Sequence, residues 1–199
     1  MAKTIEFYFD YGSPNAYLAY RRLPDIAQRT GATIVDRIML LGGVFKESGN
    51  HSPMEIAAKR PNGQNDLRRF ANRYAVPFRP NPFFPINTLR LMRGAVAAEQ
   101  GGYLAPYGEA IYRAMWVNQK NLGEPEVLRQ TLIEAKIDPA RFEEAIASEP
   151  VKEKLKTYTA AAVARGVFGA PTFFVGSEMF FGQDRLDFVE DAVNGRSYL

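Results

Sequence analysis

The chain opens on strict alternation. From Thr4 to Asp10, Ile5, Phe7 and Phe9 face one way and Glu6, Tyr8 and Asp10 the other, a period of two that predicts a β-strand. Tyr11-Gly12-Ser13-Pro14 follows as a turn. Ser13 can cap a helix there, and Pro14 suits the first helical position, where its missing N–H costs nothing. The helix runs to about Arg29, with Tyr17, Leu18 and Ile26 among its apolar residues and Gly31 just past its end. Thr33 to Leu41 is apolar and β-branched enough for a second strand, which completes a β–α–β unit.

The period then changes. Gly42-Gly43 and Lys46 to Pro53 read as a polar loop, and helical spacing governs the next hundred or so residues. Leu67, Phe70, Ala71 and Tyr74 share one helix face, and Asn87 and Thr88 can cap a helix through Leu91, Ala95 and Val96. Tyr107, Ile111, Ala114 and Met115 form another stripe. Pro125, Asp138-Pro139 and Pro150 open three more helices, the last ending at Gly166. The Pro-rich segment from Pro77 to Pro85 cannot be helical and reads as an ordered loop. Beyond Gly166, Thr172 to Val175 and Met179 to Phe181 flank a short turn as a hairpin, and Asp184 can cap a final helix containing Leu186, Phe188, Val189 and Val193.

The order is therefore βαβ, an all-helical block, then ββα. A parallel βαβ and an antiparallel hairpin with its helix can share one sheet covered on both faces. That is an α/β, thioredoxin-like arrangement with a large all-helical insertion. It predicts a sheet domain from residues 1–42 and 166–199 and an inserted helical domain from 43–165.

Composition narrows the chemistry. Of 199 residues none is cysteine, which excludes disulfides, thiolate metal sites, cysteine nucleophiles and dithiol redox chemistry. The single histidine, His51, rules out a His-rich metal site, and no metal is expected. The net charge of +3 does not call for a nucleic-acid partner. No apolar run approaches the ~18 residues of a membrane span, and the charged N-terminus lacks the apolar stretch of a secretory signal, so a cytoplasmic protein without a membrane partner is expected.

Three places can carry chemistry. Ser13 lies on a strand-to-helix turn, where a hydroxyl and the positive end of a helix dipole stabilise an anion, although a serine there also serves as a plain cap. A serine–histidine–aspartate triad would have to use His51, the only histidine, in a polar loop, so Ser13 is a poor hydrolase nucleophile but a reasonable donor to another molecule's anion. Ala170-Pro171 precedes the late hairpin, where thioredoxin-like folds place a cis-proline that exposes the preceding backbone to an extended peptide; a cis bond is expected here. Asp184-Arg185 at a helix start could grip a zwitterion, or could simply cap and be solvated. Lys46, Asn50 and Lys59, in or beside the polar loop, could bind carboxylates, and Trp116 fits either helical core or a substrate wall.

Four separated segments carry a resemblance spanning essentially the whole chain. FYFDYGSPNAYLA (Phe7 to Ala19), SGN (Ser48 to Asn50), GVFGAPTFFV (Gly166 to Val175) and FFGQDRL (Phe181 to Leu186) resemble the 2-hydroxychromene-2-carboxylate isomerases, relatives of kappa-class glutathione transferases and DsbA-like oxidoreductases. In that family a serine replaces the redox Cys-x-x-Cys, and Ser13 stands at its position. The resemblance implies glutathione as cofactor, with Ser13 hydrogen-bonding its thiolate and acting as the catalytic residue. Ala170, before Pro171, would pair its backbone with the tripeptide. Phe181, Gly182, Gln183, Asp184 and Arg185 would hold the γ-glutamyl end, Asp184 meeting its ammonium. Asn50 and Lys59 match glutathione contacts, the lysine from a second subunit of a homodimer. Lys46 lies near a lysine used on the substrate carboxylate, and Phe83, Phe84 and Asn87 fall where the substrate pocket is lined. The implied activity is cis–trans isomerisation of a small aromatic enone carboxylate. A kappa-type transferase or peroxidase, and a non-catalytic thioredoxin-like binding module, are the alternatives. Gly12 and Asn15 depart from the family pattern beside the thiol site: Gly12 replaces a larger apolar residue, and Asn15 an aromatic.

Overall fold

The computed structural model describes residues 3–199. The elements are β1 (Thr4–Phe9), α1 (Pro14–Thr30), β2 (Thr33–Ile38), α2 (Leu41–Ser48), α3 (Arg60–Arg73), α4 (Leu89–Gln100) and α5 (Leu104–Trp116), then α6 (Pro125–Glu134), α7 (Pro139–Ala147), α8 (Glu149–Ala164), β3 (Thr172–Val175), β4 (Glu178–Phe181) and α9 (Leu186–Val193). The four strands form one sheet in the order β2-β1-β3-β4. β1 and β2 are parallel with Phe7 opposite Asp36; β3 is antiparallel to β1 with Phe173 opposite Phe7, and β4 closes the hairpin. Phe7 and Phe173 stack across the central pair at 5.6 Å, the cross-strand aromatic contact that the period-two pattern of β1 implies.

Sheet and helical block share one core. Ile5, Phe7, Leu18 and Phe173 pack in the same buried cluster as Leu91, Ile111, Leu132 and Phe142 from α4 to α7. The expected boundaries at 42/43 and 165/166 thus fall between segments whose residues share a buried cluster, and residues 1 and 2 of the expected sheet domain lie outside the described residues. None of the described helices is long and apolar enough to cross a membrane.

Two boundaries differ from the sequence pattern. The second strand ends at Ile38 rather than Leu41, and the expected loop at Gly42-Gly43 is the start of α2. Two glycines argue against a helix in isolation, but tertiary partners supply its missing caps: the Leu40 N–H donates to Thr159 Oγ1 at 3.0 Å and the Leu41 N–H to Asp10 Oδ2 at 2.8 Å. Gly43 also allows α2 to approach α8, since a Cβ there would sit 3.0 Å from the Thr159 methyl. The second correction concerns Asp184, which does not cap the last helix. It lies inside a single 3₁₀ turn, Gln183–Arg185, and pairs with Arg185 at 3.0 Å.

Ala75 ends α3 in the left-handed region, at φ +54°, while the Val76 N–H closes the helix onto the Ala71 carbonyl. A Cβ in that conformation costs about 1–2 kcal/mol, partly offset by the narrower unfolded ensemble of alanine. Ala75→Gly is expected to stabilise by about 0.5–1 kcal/mol and to raise the melting temperature by about 1–4 °C in a calorimetric scan. A lowered melting temperature would show that α3 ends by other means.

Candidate active site

The site is assembled at the C-terminal end of β1. The chain reverses there, with the Ser13 N–H donating to the Asp10 carbonyl at 3.0 Å, and Ser13 takes extended dihedrals at the N-cap of α1. Its Oγ accepts from the Ala16 N–H at 3.1 Å, the capping bond the sequence implies, and donates to the Ala170 carbonyl at 2.9 Å. Ala170-Pro171 is cis, as expected, and Phe84-Pro85 is cis as well. The Pro171 carbonyl accepts from the Gly182 N–H at 2.9 Å, which brings the end of β4 against the proline. Gly182 is at φ +98°, and a Cβ on it would collide with the Asp184 carboxylate, so this crossing requires glycine.

Asp10 holds the turn from behind. The alternation of β1 assigns it to the polar face, but the strand stops at Phe9, and the carboxylate turns inward to 0% exposure. It accepts from the Gly12 N–H at 2.8 Å, the Leu41 N–H at 2.8 Å and the Thr88 hydroxyl at 3.0 Å. Burial raises the Asp10 pKa above the ordinary 3.8, and those three donors oppose the rise.

Two cavities meet at this turn, sharing Pro14, Ser52, Met54, Leu67 and Phe84. The smaller, about 280 Å³, is the polar one: Ser13, Asn15, Lys59, Ala170, Gln183 and Asp184 line it. The larger, about 510 Å³, is mostly apolar. Its aromatic wall stands on Trp116, which stacks on Phe78 at 6.1 Å, tilts against Phe84 at 5.7 Å and donates Nε1–H to the Tyr11 carbonyl at 2.9 Å. The Pro-rich loop that carries Phe78 and Phe84 is ordered by tertiary bonds. Tyr17 donates its hydroxyl to the Pro77 carbonyl at 2.6 Å, and the Asn81 amide donates to the Met115 and Lys120 carbonyls.

The structure brings together Ser13, Lys59, Phe84, Ala170, Gln183 and Asp184 on one cavity surface, with Pro171 and Gly182 shaping it through the backbone. Lys59, at a 3₁₀ turn before α3, lines the polar cavity of its own chain. Asn50 lines neither cavity; its amide donates to the Phe168 carbonyl at 2.8 Å and steadies the approach to Pro171. Phe181 packs on Phe168 at 4.6 Å, and Arg185 is exposed on Asp184. Lys46 is exposed on α2, Phe83 is 51% exposed, and Asn87 accepts from the Leu89 N–H at the start of α4; none of the three lines either cavity. Their neighbours do the lining because helical α2 turns Lys46 outward and the loop turns Phe84 inward past Trp116. Asp10, Phe78, Thr88 and Arg60 are not among the site residues expected from the sequence. Asp10 alone had a visible signal, a carboxylate at the end of an aromatic strand just before a glycine turn.

Across residues 4–194 the chain matches the family model described as a DsbA-like thioredoxin domain. A curated 2-hydroxychromene-2-carboxylate isomerase of Sphingobium xenophagum is 33% identical over 192 residues, 96% of this chain and 97% of that protein. Glutathione S-transferase kappa 1 of Homo sapiens is 26% identical over 201 residues, 94% of this chain and 89% of that one. A solved 2-hydroxychromene-2-carboxylate isomerase superposes with a TM-score of 0.86 at 30% identity, over 96% of this chain and 95% of its own. The chain belongs to the DsbA-like thioredoxin-domain family and, within it, groups with the 2-hydroxychromene-2-carboxylate isomerases.

The departure at Gly12 has a structural reason. A Cβ at that position would lie 2.8 Å from the Thr88 methyl and 3.2 Å from Asp10 Oδ1. Gly12→Ala is expected to cost about 1–3 kcal/mol in urea denaturation. Adding Thr88→Ser, which removes the methyl and keeps the hydroxyl on Asp10, should restore most of it; no rescue would place the strain elsewhere. Asp10 also predicts a pH effect. The folded state holds its proton where the unfolded chain has released it, so its contribution is complete below pH 3.8 and declines as pH rises through the raised folded value. The stability gap between wild type and Asp10→Asn should therefore narrow as pH rises above about 4; a widening gap contradicts the assignment.

Proposed function

We propose that this protein is a glutathione-dependent cis–trans isomerase of a small aromatic enone carboxylate, of the kind its relatives' name describes. The observation that carries the reading is the placement of the Ser13 hydroxyl. It lies at the N-terminus of a 17-residue helix, 2.9 Å from the carbonyl before a cis-proline and where a polar cavity meets an apolar one.

The residues present fit the tripeptide. Among the described backbone bonds none engages the Ala170 N–H, which is available to an extended backbone beside Pro171. Asp184 presents a carboxylate for an ammonium group and Lys59 a cation for a carboxylate, both on the polar cavity. When bound, glutathione supplies a soft sulfur nucleophile that adds reversibly to a conjugated carbon and leaves unchanged, so that the former double bond can rotate meanwhile. The chain's part is to keep that sulfur ionised and to hold the acceptor beside it. The Ser13 hydroxyl, which donates to Ala170 in the free protein, can turn its proton to the sulfur while still capping Ala16 through a lone pair. Phe84 borders both cavities and sets the acceptor's plane against the aromatic wall.

The magnitudes suffice without a histidine. Lowering a thiol from a pKa of about 8.5 by two units takes about 2.7 kcal/mol. A partly buried helix N-terminus contributes up to about 2 kcal/mol, and a hydroxyl bond to a charged acceptor about 1.5–3 kcal/mol. A kappa-type transferase uses the same thiolate but consumes it, and the 26% identity to a human kappa-class enzyme keeps that reading in play. The reading also includes a homodimer, checked by light scattering.

Ser13→Ala should lower kcat about 10- to 100-fold while glutathione affinity stays within a few-fold, measured by turnover and by titration. Total glutathione, counted before and after complete conversion, should be unchanged; stoichiometric loss would favour the transferase, and full activity of the alanine variant would remove Ser13 from the mechanism.

A further inference from the structure

The residues lining the apolar cavity include one basic side chain and one acidic one, Glu55, which forms no ion pair with it among the described residues. Arg60, the first residue of α3, lines it along with the wall of Phe78, Phe84 and Trp116. Its Nε donates to the Met54 carbonyl, which fixes the guanidinium at the cavity. The two terminal nitrogens have no ion-pair or hydrogen-bond partner among the described residues. Lys46, the lysine matched by resemblance to a substrate carboxylate, lies outside both cavities, and Lys59 faces the polar one.

A planar aryl acid entering this space buries its ring against the aromatic wall and brings its carboxylate to the cavity rim, where Arg60 is exposed and part of the carboxylate's water is lost. That is costly unless a charged donor meets it. A guanidinium with a free fork of N–H groups matches a carboxylate in two parallel bonds, which an ammonium cannot reproduce. We propose that Arg60 is the carboxylate anchor of the substrate, so that the apolar cavity selects aryl acids over their neutral analogues. The proposal rests on the isomerase reading for its substrate class but makes a claim about binding that is independent of glutathione.

Trp116 is the only tryptophan in the chain and lines this cavity, so its fluorescence reports occupancy. The full-length protein without glutathione is titrated with trans-cinnamate and, separately, with methyl cinnamate. Wild type should bind the acid about 10-fold or more tightly than the ester. Arg60→Gln should reduce the acid to the ester's affinity and leave the ester unchanged, which also reports that the variant is folded; Arg60→Lys should retain part of the preference. With glutathione present, Arg60→Gln should raise KM for an enone acid with kcat within a few-fold and glutathione affinity unaltered. No preference in wild type, a preference that survives in Arg60→Gln, or no binding of either probe overturns the anchor. Glutathione-dependent isomerase turnover that needs Ser13 but shows no Arg60-dependent preference would overturn the anchor alone. An acid preference without any glutathione affinity would leave the anchor standing and overturn the glutathione reading.

Discussion

A carboxylate that forms no ion pair among the described residues, fully buried where the first strand ends, organises this molecule around itself. Asp10 satisfies its oxygens with the Gly12 and Leu41 N–H groups and the Thr88 hydroxyl, while its own carbonyl takes the Ser13 N–H. Those donors belong to the turn into α1, the start of α2 and the start of α4, so one side chain ties three helix N-termini to the end of β1. An unpaired buried charge is tolerated only when donors replace its lost water, and each donor in turn would be orphaned without it. The mutual requirement locks the geometry. Ser13 is placed by this arrangement, and the cis Ala170-Pro171 bond that faces it is brought in by the antiparallel pairing of β3 on β1.

The two cavities divide the work by their surroundings. The polar one is walled by the Ser13 turn, by Ala170, Gln183 and Asp184 near the other end of the chain, and by Lys59 and Asp66 from its middle, and the apolar one by rings from the middle. Their shared border at Pro14 and Phe84 puts the helix N-terminus against the apolar space, where an anion gains most from fixed dipoles because little water competes. Gly12 belongs to the same economy of space. With the Thr88 methyl in the volume a side chain would need, the residue beside Ser13 must be glycine, and the hydroxyl of the same threonine is what reaches Asp10.

Much of this was legible in the residues. Alternation in β1, helical spacing around Leu67 and Tyr107, and the Ser13-Pro14 and Asp138-Pro139 starts correspond to elements observed within a few residues. The helix at Gly42-Gly43 was not, because its N–H groups are satisfied by Asp10 and Thr159 from distant parts of the chain, and no local propensity encodes that. Within the site, Ser13, Ala170 and Asp184 were readable from their turns, since motif and backbone geometry are the same thing at a tight turn, whereas Gln183 was implied only by the family resemblance. Phe83 and Lys46 show the opposite case: residues of the right chemistry in the right segment, turned away from the cavity by one position or by one helix face.

The sequence by itself determined the order of strands and helices, the helix that begins at Ser13-Pro14, and a composition without cysteine in which any sulfur nucleophile has to come from outside. These follow from periodicity, capping and residue count, which are local or global sums. Only the tertiary structure decided that Asp10 points inward, that Lys59 joins the polar cavity from its own chain, that Phe84 and not Phe83 meets Trp116, and that Arg60 is the cation of the apolar cavity. Each of those is a choice between two directions for one side chain, and its outcome is set by partners tens of residues away that fill the remaining volume and satisfy the remaining donors.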